Sequence, residues 1–294
     1  MLKQKILSEK YVLELYRIFE EKNWETQELG KYSVFNRFCS RLAELDNDEQ
    51  RELILELTHQ FLWVQSKNYE DYLLKVLKKL FSSHEWKRDK GKNIFICPLL
   101  AKKDFGKIKS GTSLAYLCQS ILLRTFPEFQ EEQIQICTTP EGLKSCMDNI
   151  GVLILIDDFI GSGGTALECL GYLTFLKEKN ISTYLVSLVA QKDGVDLIKA
   201  QHVPVFAAEI RKKAITDAYP KREAEEKLKI MKSIGKCIHA NKKYYLGYND
   251  SESLVAMIKT PNNTFPVYWH EQENKTLAPF VRRRNIQVIG DKHD

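Results

Sequence analysis

The chain has no paired-cysteine pattern, no long apolar run and no concentration of charge, and each lack removes a class of protein. Its seven cysteines (Cys39, Cys97, Cys118, Cys137, Cys146, Cys169 and Cys237) are odd in number, scattered, and form no C-x-x-C pair, so zinc and dithiol redox chemistry are set aside. A reducing, cytoplasmic setting is the simple expectation. No stretch approaches the ~18 apolar residues of a membrane span. Met1-Leu2-Lys3-Gln4-Lys5 runs into an amphipathic helix rather than an apolar signal core. The chain is therefore expected to be neither exported nor inserted, with no membrane partner. Charge is equally dilute: 44 Lys and Arg against 39 Asp and Glu leave +5 on 294 residues, far from the clustered footprint of a nucleic-acid binder. The one tight basic run, Arg282-Arg283-Arg284, reads better as a solvated tail than as a direct nucleic-acid contact. Repeats and low-complexity tracts are absent as well. With 44% hydrophobic and 28% charged residues, this is an ordinary globular composition, sufficient for one large domain or two smaller ones.

The apolar spacing changes once along the chain. Up to Ser83 it is helical: Tyr11, Leu15, Ile18 and Phe19 share a face, as do Phe35, Phe38, Cys39, Leu42 and Leu45, then Leu53, Leu57, Phe61 and Val64, then Tyr69, Tyr72, Leu73, Val76, Leu77, Leu80 and Phe81. Asp46-Asn47-Asp48 offers caps before the third helix. A four-helix N-terminal unit over residues 1–83 is expected, followed by a charged connector over 84–92. From there short β-branched runs (93–99, 134–138, 152–156, 183–190 and 204–209) alternate with helical stretches (112–124, 142–147, 165–178 and 194–201). Such alternation predicts an α/β domain over 93–240, a mostly parallel sheet with helices on both faces and its ligand at the carboxyl ends of the strands. The domain would close with a charged helix near 221–238. A small β-rich cap over 241–294 is expected beyond it, with strands at Tyr244–Gly247, Leu254–Ile258 and Phe265–Trp269.

Chemistry concentrates in Val152-Leu153-Ile154-Leu155-Ile156-Asp157-Asp158-Phe159-Ile160-Gly161-Ser162-Gly163-Gly164-Thr165, where a buried strand ends in two carboxylates and a glycine-rich turn opens a helix. Gly161, Gly163 and Gly164 allow the backbone to gather N–H groups at a helix N-terminus, a geometry that binds a monophosphate, and the Ser162 and Thr165 hydroxyls can donate to the same anion. Asp157 and Asp158 suit sugar hydroxyls, directly or through a divalent cation. Phosphate at one end and carboxylates at the other describe a ribose 5-phosphate. The rivals fail on residues: G-x-G-x-x-G lacks its third glycine, no Gly-Lys-Ser/Thr closes a Walker loop, and Ile160 stands where a nucleophile elbow needs glycine. The bland alternative is a glycine turn with an aspartate serving only as a helix cap.

This string resembles the phosphoribosyl-pyrophosphate signature of type I phosphoribosyltransferases. The resemblance implies an Mg-dependent enzyme acting at ribose C1 through an oxocarbenium-like state, with Asp157 and Asp158 holding the ribose hydroxyls and the metal, and phosphoribosyl pyrophosphate or a related nucleotide as substrate. It also implies a pyrophosphate loop after the first core strand, which here places Lys107, Lys109, Ser110 and Gly111 in that role, while exposed lysines can equally be mere solvated charge. The C-terminal runs Leu246–Val255, Thr260–Trp269 and Pro279–Arg283 are similar to the ending of phosphoribosyltransferase-like effectors of bacterial conflict systems, including those beside retron reverse transcriptases. That second resemblance implies a toxic effector in anti-phage defence, with a reverse transcriptase and its RNA–DNA product as partners. It also implies an acceptor hood in which Asn262 and Asn263 read a base or amide edge and Trp269 stacks. Read from the local sequence alone, the same residues make a tight turn with Trp269 in a core. A sensor that binds a ribose phosphate without turning it over is the alternative function, and the acceptor stays open between base, nucleotide, macromolecule and water.

Overall fold

The computed structural model describes residues 6–26, 30, 33–87, 92–107, 109–130, 133–177, 179–271 and 278–282. Met1 to Lys5, residues 88–91 of the connector, Ile108, Glu178, and Arg283 and Arg284 of the basic run lie outside them. In chain order the elements are α1 (Glu9–Glu21), α2 (Val34–Glu44), α3 (Asp48–His59), β1 (Leu62–Trp63), α4 (Tyr69–Phe81), β2 (Asn93–Pro98), α5 (Ser110–Thr125), β3 (Ile134–Ile136) and β4 (Ile150–Ile160). They continue with α6 (Gly164–Tyr172), α7 (Thr174–Lys177), β5 (Ser182–Gln191), α8 (Lys192–Lys199), β6 (Val205–Arg211), α9 (Lys221–Cys237) and β7 (Val255–Ala256). The described residues within 65–211 make one compact unit, and those within 1–64 and 212–287 make the other.

The first of these units has the α/β fold that the alternating pattern predicts, although its bounds are not 93–240, since α4 belongs to it and α9 to the other unit. Its five strands run in the order β3-β2-β4-β5-β6, every pairing parallel. Strands buried on both faces account for the near-continuous apolar composition of β4 and β5. Phe95, Cys97, Leu153, Leu155 and Leu185 share a core with Ala166, Cys169 and Leu170 of α6 and with Val195 and Ile198 of α8. Side chains alternate along a strand, so Ile94, Ile96, Val152 and Ile154 are buried on the opposite face, where α5 packs on β2 and β4, and α4 on β5 and β6. The strand order reverses between β2 and β4, which in an open α/β sheet is the switch point where ligands sit.

Two local expectations differ from the structure here. β4 does not stop at Ile156: Asp157 pairs with Ser187, Phe159 with Val189 and Ile160 with Ala190, because β5 is long enough to offer partners that far. The acidic pair thus lies within a paired strand. Residues 142–147, expected to be α-helical, belong to a 3-10 run over Pro140–Asn149.

The second unit departs further from the expected boundaries. The stripe of α4 is buried as its spacing predicts, yet the helix covers the sheet instead of joining α1 to α3, with Lys79 Nζ donating to the carbonyls of Ala207 at 3.0 Å and Ala208 at 2.9 Å. An amphipathic stripe announces that a face is buried and leaves its partner open. The described end of the connector packs too: Trp86 stands 5.1 Å from Tyr184 and 4.9 Å from Phe81, ring to ring. Meanwhile α1, α2 and α3 share a core with α9 and the C-terminal segment. Phe61 lies 4.5 Å from Tyr268 and 4.8 Å from Phe280 between ring centroids, and Leu62 and Trp63 pair in parallel with Val255 and Ala256. Neither an independent N-terminal bundle over 1–83 nor a separate cap over 241–294 results, because each segment supplies half of one core.

The capping expectation is met at α3, where the Asn47 side chain accepts from Gln50 N at 2.9 Å. Of the three strands expected in the cap only β7 forms. The remaining described stretches include 3-10 turns at Lys242–Tyr244, Tyr248–Asp250 and Pro266–Tyr268: Gly247, with φ at 78°, ends extended backbone in the first expected strand, and Pro266 in the third has no N–H to donate.

If the N- and C-terminal segments share one core, Phe61→Ala should lower the unfolding free energy by about 3–5 kcal/mol, as read from urea denaturation. A loss under about 1 kcal/mol would mean that the aromatic cluster does not join them.

Candidate active site

Three backbone segments meet at the carboxyl ends of β2, β4 and β5, and short side chains let them meet. Gly111, at the start of α5, has no room for more: a Cβ there would come within 2.8 Å of the Ile156 carbonyl oxygen. Gly163 holds φ at 81° as the N-cap of α6, a conformation that costs a side-chain-bearing residue. Its partner in the packing is Gly194 of α8, whose Cβ would fall 2.1 Å from the carbonyl oxygen of Gly161. Gly194 was not among the residues expected at the site. The available signal was a glycine in the first turn of a predicted helix, where propensity disfavours it.

The acidic pair sits beside this turn. Ser110 Oγ donates to Asp158 Oδ1 at 2.7 Å and lies 3.1 Å from Asp157 Oδ1, so the start of α5 and the end of β4 are joined through one hydroxyl. Asp158 is 7% exposed, and its Oδ2 accepts from the Tyr69 hydroxyl at 2.9 Å. Asp157 is half-buried, and its Oδ1 also accepts from Asp158 N at 2.9 Å. Burial, and then the neighbouring charge of Asp158, raise the Asp157 carboxyl well above the usual aspartate range. Tyr69 had no sequence signal of its own, being one of several apolar positions on the α4 stripe.

The glycine turn supplies the complementary end. Gly164 and Thr165 are exposed, Gly161 and Ser162 half-buried, and the first-turn N–H groups of α6 have no acceptor within the helix. An anion placed there meets donors and the positive end of the helix dipole. Two carboxylates on one side and an N–H cradle on the other can hold a molecule carrying hydroxyls and a phosphate. For a divalent cation, no cluster of three or more acidic, histidine or cysteine side chains exists among the described residues. A two-carboxylate set fits a magnesium ion that arrives with a polyphosphate and keeps several waters, rather than a resident metal in an all-protein cage.

The lysine loop carries an acid that sequence reading passed over. Asp104 lies 3.1 Å from both Lys107 Nζ and Lys109 Nζ. Partial burial pushes its carboxyl up, but the two ammonium groups outweigh this and hold it below its ordinary value. Both lysines are exposed enough to exchange Asp104 for a stronger anion. Asn262, Asn263 and Trp269 belong to the other compact unit. There Asn263 Nδ2 donates to Ser251 Oγ at 3.2 Å, and Trp269, 6% exposed, donates Nε1–H to the Thr264 carbonyl at 2.7 Å. In these contacts both residues serve the turn and core of that unit.

A doubly wound parallel sheet with this strand order, an acidic pair in its central strand and a glycine turn behind it is a phosphoribosyltransferase-type arrangement. The family comparison agrees: the PRTase-CE model matches residues 36–283, and the chain belongs to that family. No curated protein is significantly similar in sequence. Among solved structures the chain is similar to orotate phosphoribosyltransferase from Aeropyrum pernix, at 14% identity and a TM-score of 0.29 over 56% of this chain and 78% of that one. It is similar to the AQ2163 protein from Aquifex aeolicus at 12% identity and a TM-score of 0.32, over 63% and 87% of the two chains. A third likeness, to a hypothetical protein from Neisseria gonorrhoeae with bound ppGpp, has 14% identity and a TM-score of 0.33 over 56% and 93%. No helix among the described residues is long and apolar enough to cross a membrane.

The raised Asp157 carboxyl has a consequence for stability. The folded chain holds a proton that the unfolded chain releases near pH 4, so stability falls as pH rises from about 4 toward the folded value. Asp157→Asn should therefore melt higher than the parent at neutral pH in metal-free buffer, with the gain shrinking as pH approaches 4. Equal melting temperatures across that range would contradict the assigned burial of charge.

Proposed function

We propose that the chain is an Mg-dependent phosphoribosyltransferase-like enzyme that binds phosphoribosyl pyrophosphate, or a related nucleotide, and displaces the group at ribose C1. The observation that carries this reading is the convergence at the switch point of the sheet: Ser110 bridges Asp157 and Asp158 next to a turn in which Gly163 is left-handed and backed by Gly194. The 5-phosphate takes the N–H groups of Gly161 to Thr165 together with the Ser162 and Thr165 hydroxyls. The ribose hydroxyls donate to Asp157 and Asp158, whose negative charge favours the ring as it becomes oxocarbenium-like. Lys107 and Lys109 leave Asp104 for the departing pyrophosphate, joined by the backbone N–H groups at Ser110 and Gly111. Asp157 and Asp158 are the residues that would hold magnesium, which when bound supplies charge neutralisation of the leaving group.

A non-catalytic ribose-phosphate sensor is the second reading, and one observation favours it: Asp104 already pairs with both lysines on which a leaving pyrophosphate would depend. The biological setting we propose is that of a toxic effector in bacterial anti-phage defence, acting with a reverse transcriptase and its RNA–DNA product. Membership of the PRTase-CE family and the resemblance of the C-terminal runs to conflict-system effectors support it.

Purified protein given phosphoribosyl pyrophosphate, magnesium and a pool of cell metabolites should release pyrophosphate. Binding of the same ligand without release would favour the sensor. Asp157→Asn with Asp158→Asn should weaken Mg-dependent binding about 100-fold or more, since each carboxylate contributes charge-assisted hydrogen bonds, and should abolish turnover and any growth arrest on expression. Gly163→Val should also remove ribose 5-phosphate binding, because the new side chain must adopt φ near 81° and its Cβ meets the Gly194 carbonyl at 3.2 Å. Normal binding by that variant, measured by calorimetry, would exclude the turn as the phosphate site.

A further inference from the structure

We propose that Tyr69 is a positioning residue of this site, which makes α4, a helix outside the strand–turn–helix segments that carry the motif, part of the phosphoribosyl machinery. The inference rests on the phosphoribosyl reading and deepens it. Asp158 is held by two donors from two different helices: Ser110 at the head of α5 takes Oδ1 at 2.7 Å, and Tyr69 at the head of α4 takes Oδ2 at 2.9 Å. A carboxylate gripped at both oxygens cannot turn about its χ2 bond without losing one bond, and inside a buried site the lost partner is not replaced by water.

The grip is rigid because its base is rigid. Tyr69 is 7% exposed, and a phenol reaches its partner with only two side-chain torsions to order. Farther along α4, Lys75 Nζ bonds Glu209 Oε1 at 2.5 Å, and Lys79 clamps the carbonyls of Ala207 and Ala208 on β6. Glu70 pairs with Arg124 of α5, and the Phe81 ring packs 4.9 Å from Phe126 and 4.8 Å from Phe129. Each contact lies within the α/β unit, so the hydroxyl is delivered to Asp158 by the sheet itself.

Asp157 is treated differently. Its bonds from Ser110 and from Asp158 N both fall on Oδ1. The pair therefore divides the work. Asp158 is aimed and locked, while the half-buried Asp157, held at Oδ1, is the partner offered to a hydroxyl or cation. Tyr69 acts through Asp158 on the part of the ligand that carries hydroxyls, and not on the phosphate, which the glycine turn holds.

That separation sets the test. Tyr69→Phe keeps the ring and deletes the donor. By calorimetry with magnesium it should bind ribose 5-phosphate about 10-fold more weakly, while its affinity for inorganic phosphate stays within about twofold. In an Asp158→Ala background the same change should cost no further ribose 5-phosphate affinity, because the carboxylate through which it acts is absent. Equal losses for both ligands, an unchanged affinity for ribose 5-phosphate, or a full additional loss in the Asp158→Ala background would each overturn the proposal. If the parent binds inorganic phosphate but not ribose 5-phosphate, the phosphoribosyl reading itself fails and the role of Tyr69 with it. Failure of Tyr69→Phe alone, with the parent binding normally, removes only the latter.

Discussion

The approach of backbone to backbone at the carboxyl end of the sheet is the constraint on which the rest of the site depends. α5 reaches the ends of β2 and β4 because Gly111 presents no Cβ to the Ile156 carbonyl, and α8 lies against the phosphate-type turn because Gly194 presents none to Gly161. With these contacts made, Ser110 comes within hydrogen-bond distance of both aspartates. Were α5 displaced by the width of a methyl group, the hydroxyl that joins it to β4 would no longer span the pair. Packing thus sets the electrostatics of the site, in a region where tight interiors pass small displacements on to their neighbours.

The site stores unfavourable energy in return for its chemistry. Two carboxylates share one hydroxyl donor, and burial and its neighbour's charge raise one of them well above its ordinary titration range. Such arrangements persist only where the surroundings over-determine them. Here the surroundings are a sheet whose central strands β4 and β5 are apolar and buried for most of their length, and α4, clamped to β6 by Lys79. A hydroxyl-bearing ligand or a cation relieves the mutual repulsion, so the same groups that cost stability when empty favour binding.

The second compact unit obeys a different logic, one of long-range closure. Arg41 of α2 is buried, paired with Glu44 at 2.7 Å and donating to the His270 carbonyl, while burial draws its guanidinium below its usual value. Glu252 accepts from the backbone N–H groups of Ile215 and Thr216 at 3.0 and 2.7 Å. The Arg41 bond to the His270 carbonyl and the stack of Phe61 on Phe280 join segments more than two hundred residues apart. A buried arginine left without its partners is strongly destabilising, so the N-terminal helices need the C-terminal segment as much as it needs them.

What the amino-acid sequence determined by itself was local and repetitive: the helical stripes of α1 to α4, the apolar runs of the parallel sheet, the Asn47 cap and the acid pair followed by a glycine turn. Each of these writes its signal within a few residues, because helix and strand periods and turn chemistry are short-range. Partnership was left to the tertiary structure. It decided that α4 covers the sheet, that β1 pairs with β7, that β4 extends through the acid pair because β5 runs alongside, and that Tyr69, Asp104 and Gly194 join the site. A tyrosine on an apolar stripe, an aspartate among lysines and a glycine in a helix carry no mark of what they will touch. Tyr69 and Gly194 take their roles from residues tens of positions away, brought close by burial of apolar surface that specifies how much is hidden and not against which neighbour.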